Sequence, residues 1–136
     1  MSNAAANVEI VRKLLSSPPP DGAGMAAFAA QWLDAAITLD YPGGSPIPFA
    51  GSWQGWKGVA DFMSAYHHAI ETQRMEVLSI DGAGDDVFVR GVTHGRVRRT
   101  GKLYVSPWLL IWTVKDSRIV RMLEYHDTQA IAGAFA

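Results

Sequence analysis

The chain of 136 residues contains no cysteine. This absence excludes disulfide bonds, thiol catalysis and zinc sites built on cysteine. The chain also has no excess of charge of either sign, because 12 basic side chains balance 13 acidic ones to a formal net charge of −1. Such a balance gives no excess of positive charge that would attract nucleic acid or an anionic membrane. We therefore expect neither of these partners.

Long apolar runs are also missing from the sequence. None approaches the roughly 18 residues that span a bilayer. The first 15 residues lack the basic stretch followed by an apolar run that marks an export signal. We therefore expect a cytoplasmic protein. The length fits one domain, residues 1–136, and a hydrophobic content of 49% is enough for a folded core.

The first half of the chain has the apolar period of helices. Apolar residues at 3.6-residue spacing predict three helices, around residues 8–15, 25–36 and 59–70. The segment "SSPPPDG" (16–22) should end the first of them, because proline cannot continue a helix. Between the second and third helices, "ITLDY" (37–41) predicts a short strand that ends at a Pro/Gly-rich loop.

The second half of the chain has the pattern of strands separated by short turns. The predicted strands are "RMEVLSI", "DVFVRGVTHGRVR", "KLYVSPWLLIWTVK" and "RIVRMLEYHD". Short turns make neighbouring strands antiparallel, and Asp127 is well placed to cap a short closing helix. The order of elements predicts an α+β fold with three N-terminal helices packed on a curved antiparallel sheet.

The segment "WLLIW" (108–112) is apolar at every position, so both faces of its strand should be covered. The helices can cover only one face of the sheet. Either a second subunit covers the other face, or the sheet wraps far enough to bury it. We expect a homodimer formed through the outer face of the sheet.

Three segments carry a family resemblance: "DYPGGSPIPFAGSWQGWKGVADF", "IWTVKDSRIVRMLEYHDT" and "AIAGAF". They resemble the SnoaL-like, ketosteroid-isomerase-related proteins of the nuclear transport factor 2-like superfamily, over a range from Val8 to Phe135. The resemblance implies a cone-shaped α+β barrel, also called cystatin-like, with a hydrophobic pocket at its wide end.

The same resemblance implies two kinds of function. The first is an acid–base enzyme without cofactor, of isomerase, dehydratase or cyclase type, acting on a small apolar polyketide- or steroid-like compound. The second is a non-catalytic small-molecule-binding protein, or a dimerisation module with the same pocket, because this fold carries many functions.

The ketosteroid isomerase mechanism needs a carboxylate base, a tyrosine donor and a protonated aspartic acid. The base belongs directly before the proline of the first strand, where this chain has Tyr41. Asp40 lies one residue earlier and so should face the other side of the strand. The two donors fall on Leu14 and on Leu109 or Leu110. We therefore do not expect isomerisation by that mechanism.

Two other enzyme types of the superfamily fit only in part. The epoxide hydrolases use an Asp-Arg-Asp set, of which Glu124 matches the last acid, while Val92 and His94 stand at the other two positions. The dehydratases that resemble scytalone dehydratase use histidine, tyrosine and aspartate. This chain offers the residue types in Tyr41, His94, Glu124 and His126.

The face of each long strand decides which polar groups could act. Alternation on the last strand groups Met122, Glu124 and His126, and the resemblance points this group inward. On the strand of residues 86–98 we expect Phe88, Arg90, Val92 and His94 to face the same way.

Our catalytic hypothesis makes Glu124 the base and His94 its proton-transfer partner across the ligand. The alternative is structural: Glu124 pairs with Arg90 or a water, and His94 is simply hydrogen-bonded. The predicted ligand-binding residues are Tyr41, Trp53, Phe62, Tyr66, Phe88, Arg90, Val92, Leu110, Met122 and His126. We expect no metal, because no two histidines have the i, i+4 spacing of a helical metal site.

Two tryptophans stand among glycines just before the third helix. Trp53 and Trp56 could line the mouth of the cone or could plug the core. We expect a split, with Trp53 near the ligand and Trp56 packed at the start of the helix, because Gly55 and Gly58 let that helix approach its neighbours closely.

Overall fold

The computed structural model of the chain describes residues 3–16 and 23–136. The helices are α1 (Ala4–Ser16), α2 (Ala23–Trp32), α3 (Gly55–Ala69) and α4 (Thr128–Phe135). The strands are β1 (Leu33–Tyr41), β2 (Gly51–Gln54), β3 (Ile70–Ala83), β4 (Asp86–Val97), β5 (Leu103–Lys115) and β6 (Arg118–His126). The expected role of "SSPPPDG" in ending the first helix falls almost wholly outside the described residues.

The six strands form one curved, unclosed sheet in the order β2-β1-β6-β5-β4-β3. The predicted α+β class is confirmed. The sheet is mixed rather than wholly antiparallel, because β1 lies parallel to β6 while all other neighbours are antiparallel. No helix in the described part of the chain is long and apolar enough to cross a membrane.

The boundary between α2 and β1 differs from the sequence prediction. The helix ends at Trp32 and the strand begins at Leu33, inside the range predicted as helix. Leu33 and Ile37 are buried in the core, and the Trp56 indole donates a hydrogen bond to the Leu33 carbonyl at 3.0 Å. Packing of these side chains therefore overrides the helical spacing of the preceding segment. Strand β2, which pairs with β1, was also missed.

The C-terminal helix follows the prediction. The carboxylate of Asp127 accepts a hydrogen bond from the Ala130 amide at 3.1 Å, which makes it the N-cap of α4. At the other end of α4, Arg99 and Thr100 donate to the carbonyls of Phe135 and Ala134. The turn between β4 and β5 thus holds the last carbonyls of the helix.

The inner face of β4 is the opposite of the one predicted. Its buried residues are Val87, Val89, Gly91, Thr93, Gly95 and Val97. The predicted inward set, Phe88, Arg90, Val92 and His94, lies on the outer face.

The physical reason is space for aromatic rings of β5. A Cβ on Gly91 would lie 2.2 Å from the Trp108 ring, and a Cβ on Gly95 would lie 2.6 Å from the Tyr104 ring. Gly91 pairs with Trp108 and Gly95 with Tyr104 in the β4–β5 register. Small residues therefore face inward on β4 so that large rings on β5 can lie over them.

Candidate functional site

A cavity of about 400 Å³ lies between α3 and the inner faces of the sheet strands. Apolar side chains from α1, α2, α3 and the sheet form most of its wall. Three lining residues, His67, Thr72 and Met75, are also exposed to solvent. The cavity therefore opens between the end of α3 and strand β3.

An ionisable pair lies in this apolar wall. Glu124 and His126 are two residues apart on β6 and so share its inner face. The His126 Nε2 atom lies 3.3 Å from the Glu124 Oε1 atom, and both side chains are nearly buried, with 13% and 12% of their surface exposed, respectively. Two interacting titratable groups that border a cavity are a suitable arrangement for proton transfer.

Tyr41 completes this group from the neighbouring strand β1. Its ring stacks on the His126 ring with 4.3 Å between centroids and 12° between planes. Burial, and next the Glu124 carboxylate, raise the pKa of Tyr41 well above its ordinary value. The phenol is therefore neutral at physiological pH and keeps its proton as a hydrogen-bond donor.

Tyr66 and Thr72 bring two hydroxyl groups to the cavity wall near the opening. The Tyr66 hydroxyl is 3.3 Å from the Thr72 hydroxyl, and both residues border the cavity. Burial, and next the neighbouring Tyr66, raise the pKa of Tyr104. The hydroxyls of Tyr66 and Thr72 therefore supply polar atoms near the opening of a mostly apolar cavity.

Strand β5 contributes two tryptophans to the cavity that the sequence predictions missed. The Trp108 indole donates to the Thr93 hydroxyl at 2.8 Å, and Thr93 also borders the cavity. Trp112 lies further along the same face. Alternation along "WLLIW" was the available signal, because it places both tryptophans on the side of Leu110.

The structure brings seven of the predicted site residues to the cavity: Tyr41, Phe62, Tyr66, Leu110, Met122, Glu124 and His126. Their roles in catalysis or binding stay predictions. Phe88, Arg90, Val92 and His94 do not belong to the described cavity wall, because they lie on the outer face of β4.

Two expected interactions of Glu124 are therefore wrong in geometry. His94 faces away from Glu124, and His126 takes its place as the neighbouring imidazole. Arg90 is exposed and its Nε lies 3.4 Å from the Ser79 hydroxyl, so it is not the partner of Glu124.

The two tryptophans at the start of α3, Trp53 just before it and Trp56 in its first turn, have structural roles. Trp53 is partly buried, donates to the Phe49 carbonyl at 3.1 Å and packs edge-on against Phe62, with 6.0 Å between the ring centroids. Trp53 is not among the described cavity-lining residues, so its expected place near the ligand is wrong. Trp56, 39% exposed, attaches the start of α3 to β1 through the Leu33 carbonyl.

Asp40 also lies away from the cavity, as its position on β1 predicted. Its carboxylate accepts a hydrogen bond from the Ser52 hydroxyl at 2.5 Å and lies 3.8 Å from the Arg121 guanidinium. Among the described residues, no group of three or more His, Asp or Glu side chains could hold a metal ion.

The outer face of the sheet carries an apolar surface that we call the outer patch. Cross-strand pairs place its residues side by side on β4, β5 and β6. All are exposed or half-buried in the single chain. They are Phe88, Val92, Val105, Pro107, Leu109, Ile111, Leu123 and Tyr125.

Comparison with known proteins gives the family. A model of the SnoaL-like domain matches residues 21–122, which is most of the chain. The protein therefore belongs to the SnoaL-like family. No curated protein matches the sequence.

Solved structures show the same fold. A nuclear transport factor 2-like protein of Burkholderia xenovorans has 24% identity and a TM-score of 0.83, with 100% of both chains covered. A candidate SnoaL-like polyketide cyclase of Jannaschia has 15% identity and a TM-score of 0.76, covering 96% of this chain and 92% of its own. A protein named TerC, crystallised with polyporic acid, has 20% identity and a TM-score of 0.69. The match covers 81% of this chain and 84% of that protein.

Proposed function

We propose that the protein is an acid–base enzyme, of isomerase, dehydratase or cyclase type, that acts without cofactor on a small apolar polyketide- or steroid-like compound. One observation carries the proposal: the Glu124–His126 pair lies nearly buried in an apolar cavity. Burying charged or polar groups costs free energy unless they are paired. A cavity that keeps such a pair at its wall suits chemistry more than packing.

The geometry supports the following roles. Glu124 would remove a proton from a carbon next to a carbonyl group, and the negative charge would pass to the carbonyl oxygen. The neutral Tyr41 hydroxyl would donate a hydrogen bond to that oxygen. The proton would pass from Glu124 to the His126 imidazole, whose Nε2 atom lies 3.3 Å from Glu124 Oε1, and from there to another atom of the same compound as the carbonyl group forms again. No proton is gained or lost overall, which matches isomerisation or ring closure.

The cavity supports the proposed ligand class. A volume of about 400 Å³ falls in the range of small-molecule sites. The names of two structural relatives, a candidate polyketide cyclase and a protein crystallised with polyporic acid, are consistent with a small organic ligand.

A non-catalytic binding protein is the second candidate. Leu14 and Leu110 border the cavity, and the family resemblance matches Leu14 and either Leu109 or Leu110 to the two donors of the ketosteroid isomerases. A wall with so few polar groups could hold an apolar compound without turning it over.

Hydrogen exchange into a simple ketone separates the two candidates. In D₂O, the wild-type protein should catalyse exchange of the α-protons of 2-tetralone, followed by NMR. Glu124→Gln keeps the shape of the side chain but removes the base, so catalysed exchange should fall at least about 100-fold. Glu76→Gln is the matched control, because Glu76 lies outside the described cavity wall.

Each result has a defined meaning. Binding of 2-tetralone by calorimetry without catalysed exchange would favour the binding protein. Exchange that survives in Glu124→Gln would remove Glu124 as the base. Unfolding of Glu124→Gln at room temperature would make the pair structural instead.

We also propose a homodimer formed through the outer patch. The patch presents large apolar side chains on three adjacent strands, with Leu109 at its centre between Arg90 and Tyr125. A surface of this kind is typical of a subunit interface. The cytoplasmic location and the lack of a nucleic-acid partner stay expectations from the sequence.

A further inference from the structure

Strand β3 carries two exposed apolar side chains on the inner face of the sheet. Met75 is 52% exposed and Val77 is 40% exposed. Met75 pairs with Thr93 and Val77 pairs with Gly91, and both partners belong to the inner face of β4. Directly opposite residues of neighbouring strands point to the same face of a sheet. Met75 and Val77 therefore form an apolar surface on the inner side of β3, which we call the β3 rim.

The described helices leave the β3 rim uncovered. Helix α1 packs on β3 further along the strand, where a Cβ on Gly82 would lie 2.9 Å from the Val8 side chain. Helix α3 ends at Ala69, before β3 begins. The rim lies between these two places, so in the single chain its two large apolar side chains are in contact with water.

The β3 rim is continuous with the cavity. Met75 itself borders the cavity, and so do Thr93 and Trp108. The Trp108 ring lies over Gly91, because a Cβ there would be 2.2 Å from that ring. Val77, which pairs with Gly91, is the neighbouring side chain on the same face. A ligand that leaves the cavity past Met75 would therefore meet apolar side chains rather than water alone.

The proposed dimer does not cover the β3 rim. The outer patch lies on the other face of the sheet, whereas Met75 and Val77 face inward. A single exposed apolar residue needs no explanation, but apolar neighbours at the opening of an apolar cavity are typical of a ligand-binding surface. The ligand of the cavity is the occupant that this position favours.

We propose that the ligand is longer than the cavity, with its reacting end at the Glu124–His126 pair and an apolar tail that lies over Met75 and Val77. The substrate is then a compound with an alkyl or similar apolar substituent remote from its reacting carbonyl group. This inference rests on the proposed function, because it assumes that the cavity takes a small apolar carbonyl compound.

Two ligands that differ only in the tail test the inference. The short ligand is 2-tetralone, and 6-butyl-2-tetralone carries four additional carbons at the end of the ring system far from the carbonyl group. A fully buried CH₂ group tightens binding about fourfold, and one on an open surface about twofold, because water still meets one side of it. Calorimetry should therefore show that the wild-type protein binds the butyl compound at least about tenfold more tightly.

Variants of the β3 rim should remove this gain. The double variant Met75→Gln, Val77→Thr places polar groups at two exposed positions, and the gain from the butyl tail should fall to about threefold or less. The measured quantity is the ratio of the two Kd values in each protein, so any effect on the ring system itself cancels. Leu78→Gln is the matched control. Leu78 is 53% exposed on the same strand but lies outside the described cavity wall, so this variant should keep the full gain.

The outcomes separate this inference from the proposed function. If 2-tetralone binds but the tail adds less than about threefold in the wild-type protein, the ligand ends within the cavity and the rim has no role. A gain that persists in the double variant, or that is lost equally in Leu78→Gln, would also overturn the role of the rim. Failure of both ligands to bind would overturn the proposed ligand class together with this inference.

An NMR measurement on the wild-type protein needs no variant. In the complex with 6-butyl-2-tetralone, the terminal methyl group of the tail should show NMR contacts to the methyl groups of Met75 and Val77. Contacts of that methyl group only with residues inside the cavity, such as Leu39 or Leu110, would place the tail within the cavity and contradict the proposal.

Discussion

The two faces of strands β4, β5 and β6 are built differently. On the inner face, small residues of β4 lie opposite large rings of β5, and β6 adds the Glu124–His126 pair. On the outer face, β4 carries Phe88, Arg90 and His94, and the central strand carries exposed aliphatic residues. On the inner face, the residue at each position is limited by how well its side chain packs against its neighbours. On the outer face, the side chains are limited only by contact with water or with a partner.

This difference explains why the hydrophobic pattern alone predicts the wrong inner face for β4. Each face of that strand contains apolar residues, so alternation gives no clear answer. The glycines decide the orientation, because Gly91 and Gly95 leave room for the Trp108 and Tyr104 rings. Three predictions test how firmly the two faces differ.

The largest effect is expected at Gly91. In Gly91→Ala the new Cβ would lie 2.2 Å from the Trp108 ring and 2.4 Å from the Glu76 carbonyl oxygen, which belongs to the backbone and cannot easily move. We expect a loss of about 3 kcal/mol or more in the free energy of unfolding, measured with urea. The neighbouring change on the outer face, Arg90→Ala, should stay within about 0.5 kcal/mol. Similar losses at the two positions would contradict the proposed difference between the faces.

The next effect concerns the outer patch. Leu109→Glu places a charge at the centre of the proposed interface, once in each subunit of a symmetric dimer. We expect dimerisation to weaken by about 2 kcal/mol, or about 30-fold, in sedimentation equilibrium. Gln31→Glu adds the same charge at an exposed position of helix α2 and should leave dimerisation unchanged. A wild-type protein that is monomeric at micromolar concentration would refute the dimer.

The smallest expected effect is a pH dependence of stability that comes from Tyr41 on the inner face. The pKa of Tyr41 is raised by burial and next by Glu124, so the folded protein keeps this proton above pH 10 while the unfolded chain releases it. The unfolded state then binds fewer protons, and stability falls as pH rises. Between pH 10 and 11, the wild-type protein should lose about 1 kcal/mol more than Tyr41→Phe.

Urea unfolding at several pH values checks this prediction. At pH 7 to 8 the tyrosine is neutral in both states, so the difference between the two proteins should be constant there. If the free energies of unfolding of the wild-type protein and Tyr41→Phe differ at pH 11 by the same amount as at pH 7 to 8, Tyr41 ionises as easily in the folded protein as in the unfolded chain.

The sequence predicted the fold class, the long strands and the cap at Asp127, because periodicity and turn chemistry are local signals. It placed Glu124, Met122 and His126 on one face for the same reason. Alternation along β6 was enough to predict that Glu124 and His126 are neighbours. We chose His94 as the partner of Glu124 instead, because we assumed that His94 lies on the inner face of β4. The roles of Trp53 and Trp56 could not be read from the sequence, because they depend on carbonyls of Phe49 and Leu33 brought near by folding.

The parallel pairing of β1 with β6 has a consequence for the order in which the site forms. Leu39 lies beside Met122, so a strand from the first third of the chain closes on one from its last part. Contacts that join distant parts of a chain form late and slow folding, because the intervening loop must close first. Tyr41 and His126 face each other across this seam. The contact of Tyr41 with His126 therefore forms only once β1 has closed on β6, and a chain without that closure would lack the proposed proton-transfer group.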